Sequence, residues 1–215
     1  MNPARPERRH RSKLIMILQL EFWPTLAFAV VMASWFTFAA VFLAFFSRKP
    51  SSTPGRKRER TSIIGIALQG LGYGVVWSVH RPPFTPIVSV GKLFEIAAAI
   101  VTMVLAVGSV WFISAAVRTL GKQWSLAARV LEGHNLITTG PYNVVRNPIY
   151  TGMFGMLLAT GLAISHWIGL LIAVTIFAIG TAVRVRSEEK LLREAFGVEF
   201  EAYARKVPAV VPLLF

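Results

Sequence analysis

Two short stretches in the C-terminal third carry most of the side chains that could do chemistry. In the first, a Gly-Pro pair at 140–141 and the pair Asn147-Pro148 are turn signals, and a proline suits the first turn of a helix. The loop therefore delivers Arg146 and Asn147 to a helix N-terminus. Because backbone N–H groups at such a terminus favour an anionic ligand group, we predict an anion-binding helix start here.

The second stretch contains Arg184, Glu188 and Glu189. Arg184 and Glu188 are four residues apart, so they share one face of a helix. An arginine can hold a carboxylate through two hydrogen bonds, and a glutamate can pair with a cation or take a proton. Taken alone, each of these side chains is more typical of a solvated helix start or of a membrane-interface anchor.

Two apolar runs, 149–165 and 167–183, separate the two stretches, and only His166 divides the runs. They predict a tight helical hairpin that returns the chain to its starting side. We therefore expect Arg184 to lie close to Arg146 and Tyr150. Arginines, a glutamate and aromatic rings at the boundary between lipid and water would suit an amphiphilic substrate together with a polar cofactor.

The composition indicates that the elements positioning these residues lie in a membrane. Of 215 residues, 54% are hydrophobic and only 15% are charged, against about a quarter in globular proteins. The chain has no cysteine and no aspartate, which excludes disulfides, cysteine-ligated metals, thiolate nucleophiles and aspartate dyads. No two of the four histidines have metal-ligand spacing, so we predict no metal site.

Apolar runs of this length predict an all-α integral membrane bundle of about five transmembrane helices. A C-terminal amphipathic helix follows them, because apolar side chains recur at 192, 196, 200 and 203 within Leu191–Tyr203. Gly70 and Gly74 have the small-xxx-small spacing that lets two membrane helices approach closely. The predicted spans are Phe22–Phe46, Thr61–His80, Leu93–Val117, Ile149–Ser165 and Trp167–Val183.

The formal net charge of +13 bears on orientation and on partners. The polar segments 47–60, 118–148 and 184–215 hold six, four and six basic residues. The positive-inside rule therefore places these segments, and the site, in the cytoplasm. The basic residues before Leu14 oppose this orientation, although an interfacial helix over Leu14–Glu21 could hold them at the headgroups. Because the basic residues flank apolar spans, we expect anionic lipid as their partner and no nucleic acid.

The ordered motifs after residue 133 resemble a known family, the isoprenylcysteine carboxyl methyltransferases and the related phospholipid methyltransferases. No single motif is specific, but their order and spacing together are, over about 80 residues of this chain. Two positions depart from the family pattern: Asn147 stands where a histidine is usual, and Phe200 replaces a tyrosine. The matching residues are His134-Asn135-Leu136-Ile137, Gly140, Tyr142, Arg146 to Tyr150, Gly152, Arg184, Glu188, Glu189, Leu192, Phe196-Gly197, Glu199, Tyr203, Val207-Pro208 and Pro212.

The resemblance implies methyl transfer from S-adenosylmethionine to a lipid or lipidated substrate. We expect a single domain: the apolar runs predict three membrane helices in 1–117, and the resemblance implies the catalytic loop, the hairpin and the cofactor-binding region in 118–215. Arg184 would face the substrate. If the acceptor were an amine or a hydroxyl, Glu189 or His134 would be the base. The implied cofactor-binding residues are His134, Asn135, Leu136, Ile137, Gly140, Tyr142, Arg146, Asn147, Pro148, Ile149, Tyr150 and Glu188.

Two other functions stay open from the sequence. Some membrane sterol reductases have a similar C-terminal bundle and use NADPH, and Arg186 and Arg193 could bind the 2′-phosphate of that cofactor. A non-catalytic transporter or scaffold is the other alternative, although the spans carry almost no ionisable residue that would mark a transport pathway.

Overall fold

A computed structural model describes residues 22–46, 61–82, 84–88, 90–121 and 135–211 of the chain. Within these ranges the regular structure is helical, apart from one isolated bridge between His80 and Ser165. The expected interfacial helix at Leu14–Glu21 lies outside the described residues. The helices are α1 (Phe22–Phe46), α2 (Thr61–Ser78), α3 (Lys92–Leu120), a 3-10 turn (Gly140–Asn143), α4 (Pro148–Ile164), α5 (Trp167–Phe196) and α6 (Val198–Ala204).

The predicted membrane bundle is confirmed. The helices α1, α2, α3 and α5 are each long and apolar enough to cross a membrane. The fifth, α4, is apolar but has only 17 residues. At 1.5 Å per residue it measures about 26 Å, slightly less than the hydrocarbon thickness of about 30 Å. It therefore depends on its neighbours for its place in the bundle.

The shortest of these helices, α4, lies at the centre of the bundle. On one side its Met156 packs in a cluster with Val31 of α1 and Ala106 of α3. On another side its Leu157 packs in a cluster with Phe177 of α5 and a valine of α2. The middle of α4 is thus held from two directions.

Close approach between α2 and α5 depends on different glycines from those predicted. A Cβ at Gly65 would overlap the Arg184 side chain and the carbonyl oxygen of Gly180. A Cβ at Gly72 would crowd Ala173 and Phe177, which lie earlier on α5. Gly70 and Gly74 are exposed and have no such neighbour. Gly70 and Gly74 therefore take no part in the contact between α2 and α5, because spacing alone does not tell which face meets a partner.

The last long helix continues beyond its predicted end. The sequence predicted a span ending at Val183 and a separate tail helix over Leu191–Tyr203, but α5 is unbroken to Phe196. The break falls at Gly197, whose φ of 49° lies in the left-handed region that glycine adopts without strain. Charged residues do not end the helix at 184, because they are paired along it.

Candidate functional site at the start of α4

The helical hairpin brings the two chemistry-bearing stretches together, as predicted. The hydroxyl of Tyr150 donates a hydrogen bond to Oε1 of Glu188. Arg184 donates to the same oxygen from Nη2 over 2.9 Å, and its guanidinium carbon lies 5.0 Å from the centre of the Tyr150 ring. The three side chains form one cluster at the end of the bundle where α4 begins.

The cluster is buried mainly on the arginine side. Arg184 is 6% exposed, whereas the side chain of Glu188 keeps 25% exposure. The methylene stem of Arg184 lies against Gly65 of α2, where a larger residue would displace it. A buried charge of this kind needs a partner, and Glu188 provides it within the same helix. The glutamate is thus the more accessible of the two charged groups.

A second charged network lies beside the first. Nε and Nη2 of Arg146 both lie 2.9 Å from Oε1 of Glu189, and Arg193 donates to Oε2 over 3.2 Å. Glu189 is 6% exposed, so the two arginines compensate a buried carboxylate. Nε of Arg193 also donates to Glu201 over 2.8 Å. Both oxygens of Glu189 therefore serve to hold arginines.

The C-terminal segment covers the helix start that the sequence predicted to bind an anion. The backbone N–H of Arg146 donates to Pro208 over 2.8 Å, and that of Asn147 donates to Ala209 over 2.9 Å. The Asn147 side chain adds a hydrogen bond of 3.0 Å to the carbonyl of Ala209. The backbone N–H groups of Arg146 and Asn147, just before the helix, are thus occupied by the protein itself.

Two tyrosines join the tail helix to the turn before α4. The hydroxyl of Tyr203 donates to the backbone carbonyl of Tyr142 over 2.6 Å. Burial raises the pKa of Tyr203 to about 12, so its hydroxyl stays protonated and can donate at neutral pH. Burial, followed by the charge of Glu188, raises the pKa of Tyr142 well above its usual range. Tyr142 therefore lies close enough to the Glu188 carboxylate for an electrostatic interaction.

The remaining predicted cofactor residues occupy the segment that leads into this turn. Asn135 is exposed, whereas Leu136 and Ile137 are half-buried. Gly140 has a φ of 61° and lies against Thr119 at the end of α3. Pro148 is buried in the first turn of α4, Ile149 is half-buried beside it, and His134 lies outside the described residues.

Sequence reasoning did not find the anchoring role of Tyr203, of Arg193 or of residues 207–210. These contacts join residues that are up to 62 positions apart. Within the described ranges, no group of three or more histidines and acidic residues could hold a metal ion.

Comparison with known proteins supports the resemblance drawn from the motifs. Residues 97–199 match the family described as phospholipid methyltransferase. The match begins inside α3, upstream of the motifs that suggested the family, and ends before the C-terminal segment. The predicted resemblance is confirmed, and this region carries the sequence pattern of the phospholipid methyltransferase family.

Several curated proteins are similar over the same length. The protein-S-isoprenylcysteine O-methyltransferase of Schizosaccharomyces pombe is 31% identical over 103 residues, which is 47% of this chain and 44% of that protein. Protein-S-isoprenylcysteine O-methyltransferase B of Arabidopsis thaliana is 29% identical over 101 residues, 46% of this chain and 51% of the relative. The chain thus spans about half the length of the curated relatives it matches.

A relative with a different name is also similar. The cobalt-zinc-cadmium resistance protein CzcN of Cupriavidus metallidurans is 33% identical over 98 residues, 45% of this chain and 44% of that protein. Similarity over this region is therefore shared by proteins named for methyl transfer and by a protein named for metal resistance.

Proposed function

We propose that this protein is an integral membrane methyltransferase that uses S-adenosylmethionine. Its acceptor would be a lipid or a lipidated molecule, with a carboxylate of the isoprenylcysteine type as the first candidate. Support comes from the family match of residues 97–199 and from relatives named for this reaction. The clustering of polar side chains at one end of an apolar bundle suits a substrate with a polar head and an apolar tail.

The single observation that carries the proposal is the arrangement around Glu188. Tyr150 and Arg184 both donate to Oε1, which leaves Oε2 without a donor among the described residues. The proposed cofactor carries an ammonium and a sulfonium, and a partly exposed carboxylate with one open oxygen fits such cations. When bound, the cofactor supplies an electrophilic methyl group.

Other residues would complete the cofactor site in this proposal. The aromatic rings of Tyr142 and Tyr150 can pack against an adenine or a cationic centre. The N–H groups of Arg146 and Asn147 are used by the tail, so these two residues would act mainly through their place in the wall of the site. The rest of the proposed lining is Asn135, Leu136, Ile137, Gly140, Pro148 and Ile149, together with His134, which lies outside the described residues.

Arg184 would serve the acceptor. A carboxylate acceptor is already a nucleophile, so it needs orientation and exclusion of water but no base. The guanidinium of Arg184 is held by Glu188 and by the Tyr150 ring. Held in this way, it would bind the carboxylate of the acceptor through two hydrogen bonds. For an amine or hydroxyl acceptor, Glu189 or His134 would take the proton. The pairing of Glu189 with two arginines favours the carboxylate acceptor, because this glutamate is already engaged.

The distribution of basic residues supports a cytoplasmic site. The start of α4 and the end of α5 lie at the same end of the bundle, next to basic segments that the positive-inside rule assigns to the cytoplasm. The reductase alternative is less well supported, because Arg193 already binds Glu189 and Glu201 and is not poised for a 2′-phosphate. Lys92 pairs with the buried Glu95 at the opposite end, so this carboxylate does not suggest a transport pathway.

Calorimetric titration of the detergent-purified protein tests the proposal. We expect S-adenosylmethionine and S-adenosylhomocysteine to bind and NADPH not to bind. Glu188→Gln keeps the shape of the side chain and removes its charge, so it should weaken cofactor binding by at least about 30-fold, the equivalent of about 2 kcal/mol for a charge-assisted contact.

The matched control is Glu194→Gln, which changes an exposed glutamate on the same helix. This variant should bind like the wild type. If NADPH alone bound, the reductase would replace the methyltransferase, and equal affinity of the wild type and Glu188→Gln would remove Glu188 from the site.

A further inference from the structure

The Arg146 side chain uses each of its three nitrogens to contact other parts of the protein. Nε and Nη2 bind Glu189, while Nη1 donates to the backbone carbonyl of Ala204 over 2.8 Å and also to that of Val207. The side chain is only 13% exposed. A guanidinium has five N–H donors in a planar fork, and this geometry spans a carboxylate on one side and two carbonyls on the other.

The tail segment, defined as residues 207–210, lies across the start of α4. Its carbonyls accept from the backbone of Arg146 and Asn147, and the hydroxyl of Thr151 donates to the carbonyl of Val210. Two residues, Arg205 and Lys206, separate the tail segment from α6, and Val207 is itself buried. Backbone and side-chain donors therefore fix the tail segment along its whole length.

Arg146 also fixes α5 through Glu189. Adjacent residues on a helix point about 100° apart around its axis, so holding Glu189 on one side sets the direction of Glu188. Arg193 grips the other oxygen of Glu189 from within α5, whereas Arg146 grips it from outside the helix. Of the two arginine contacts of Glu189, only the one from Arg146 links α5 to the segment before α4, and it acts together with the hydrogen bond from Tyr150 of α4 to Glu188.

We propose that Arg146 is a positioning residue that uses the tail segment and Glu189 to present Glu188 to the ligand. This inference rests on the proposed cofactor role of Glu188. Arg146 then acts through its contacts within the protein and not through a hydrogen bond to the ligand, and Glu189 acts as its anchor and not as a base. The tail segment lies beyond the matched region 97–199, and in this proposal it helps to position the residues of the site.

Arg146→Lys tests the proposal, because lysine keeps the positive charge but lacks the planar fork. Calorimetry separates two roles. Loss of positioning raises the dissociation constant for S-adenosylmethionine while the number of sites stays at the wild-type value. Loss of folding lowers the number of sites and leaves the dissociation constant unchanged. We expect the dissociation constant to rise about tenfold at constant site number, as for loss of one charge-assisted hydrogen bond.

A second readout follows the tail segment directly. Arg205 and Lys206 are exposed immediately before it, so trypsin can release the peptide that begins at Val207 when the segment is loose. Arg146→Lys should speed this release about tenfold by mass spectrometry. Arg193→Lys is the matched control, because it changes the other partner of Glu189 and has no contact with the tail segment. Its rate of release should equal that of the wild type.

The outcomes separate the inference from the function on which it rests. If the wild type binds no S-adenosylmethionine, the proposed function fails and the positioning role fails with it. If the wild type binds and Arg146→Lys binds equally well, or only the site number falls, Arg146 does not position Glu188 and the inference alone is overturned. Should Arg146→Lys fail to fold, Thr151→Val decides, because it leaves Arg146 in place and removes the contact to Val210 together with a longer one of 3.3 Å to the carbonyl of Asn147. It should raise both quantities about threefold, and no change in either would overturn the inference.

Discussion

Both ends of α4 meet an arginine, but the two arginines bind different acceptors. At the C-terminal end, Arg81 donates to the backbone carbonyls of Thr85, Leu162, Ala163 and Ser165 over 2.6–2.9 Å. These carbonyls include the last groups of the helix, which have no partner within it. At the N-terminal end, Arg146 divides its donors between two carbonyls and the carboxylate of Glu189.

The two ends of α4 therefore differ in role: the end at Arg81 completes the hydrogen bonds of the helix, and the end at Arg146 carries the charged site. The end at Arg81 is closed by neutral backbone groups, and further hydrogen bonds from the backbone of His166 and the hydroxyl of Ser165 to the carbonyl of Val79 complete it. The end at Arg146 holds two adjacent glutamates: both oxygens of Glu189 accept hydrogen bonds, whereas Oε2 of Glu188 has no donor among the described residues. We infer that α4 is anchored at its C-terminal end so that its N-terminal end can hold a charged site in place.

The largest effect should come from Arg184, which belongs to the charged end. Arg184→Lys keeps the charge and the stem that packs on Gly65 but loses the bidentate geometry. We expect the rate of methyl transfer to fall on the order of 100-fold, as expected when a reacting group is misoriented. Affinity for S-adenosylmethionine should change less than threefold, since Glu188 keeps its contact with Tyr150.

Radiometric turnover at saturating cofactor, combined with calorimetry, measures the two quantities for Arg184→Lys. Lys190→Arg, at an exposed position on the same helix, is the control for changes of basic side chain. A loss of cofactor affinity as large as the loss of turnover would show that Arg184 and Glu188 act as one unit in binding. The proposed division between an acceptor residue and a cofactor residue would then be wrong.

Much of this charged end could be predicted from sequence, because it depends on local spacing. Arg184 and Glu188 share a face by helical periodicity, and a short hairpin brings them to Tyr150. The tail segment could not be predicted, since it forms no regular element and contacts residues about 60 positions away. The end of α5 was mispredicted for a related reason: paired charges continue a helix, and only the glycine at 197 stops it.

The second effect concerns the closed end. Arg81→Gln removes most of the donors that reach the final carbonyls of α4, and unsatisfied buried carbonyls are costly. We expect a loss of about 3 kcal/mol in the free energy of unfolding, measured by chemical denaturation in detergent or mixed micelles. The dissociation constant for the cofactor should stay at the wild-type value in the folded fraction.

The exposed Trp167 provides the control for Arg81→Gln, because it lies near the same end of the bundle without contacting the arginine. Trp167→Phe should leave both stability and affinity nearly unchanged. A raised dissociation constant in Arg81→Gln at unchanged site number would mean that a change at this end of α4 alters cofactor binding at the other end. The two ends would then not act independently.

The smallest effect separates position from acceptor type. Tyr203 lies at the charged end, but its hydroxyl donates to a neutral backbone carbonyl, that of Tyr142. If the type of hydrogen-bond acceptor decides whether a contact serves stability or binding, Tyr203→Phe should resemble Arg81→Gln with a smaller effect. It should lower the free energy of unfolding by about 1 kcal/mol, the usual value of one neutral hydrogen bond, and leave cofactor affinity unchanged. Denaturation and calorimetry on one preparation measure both quantities. A loss of affinity without a loss of stability would instead place the Tyr142–Tyr203 contact within the binding site, and location at the charged end would then matter more than the charge of the acceptor.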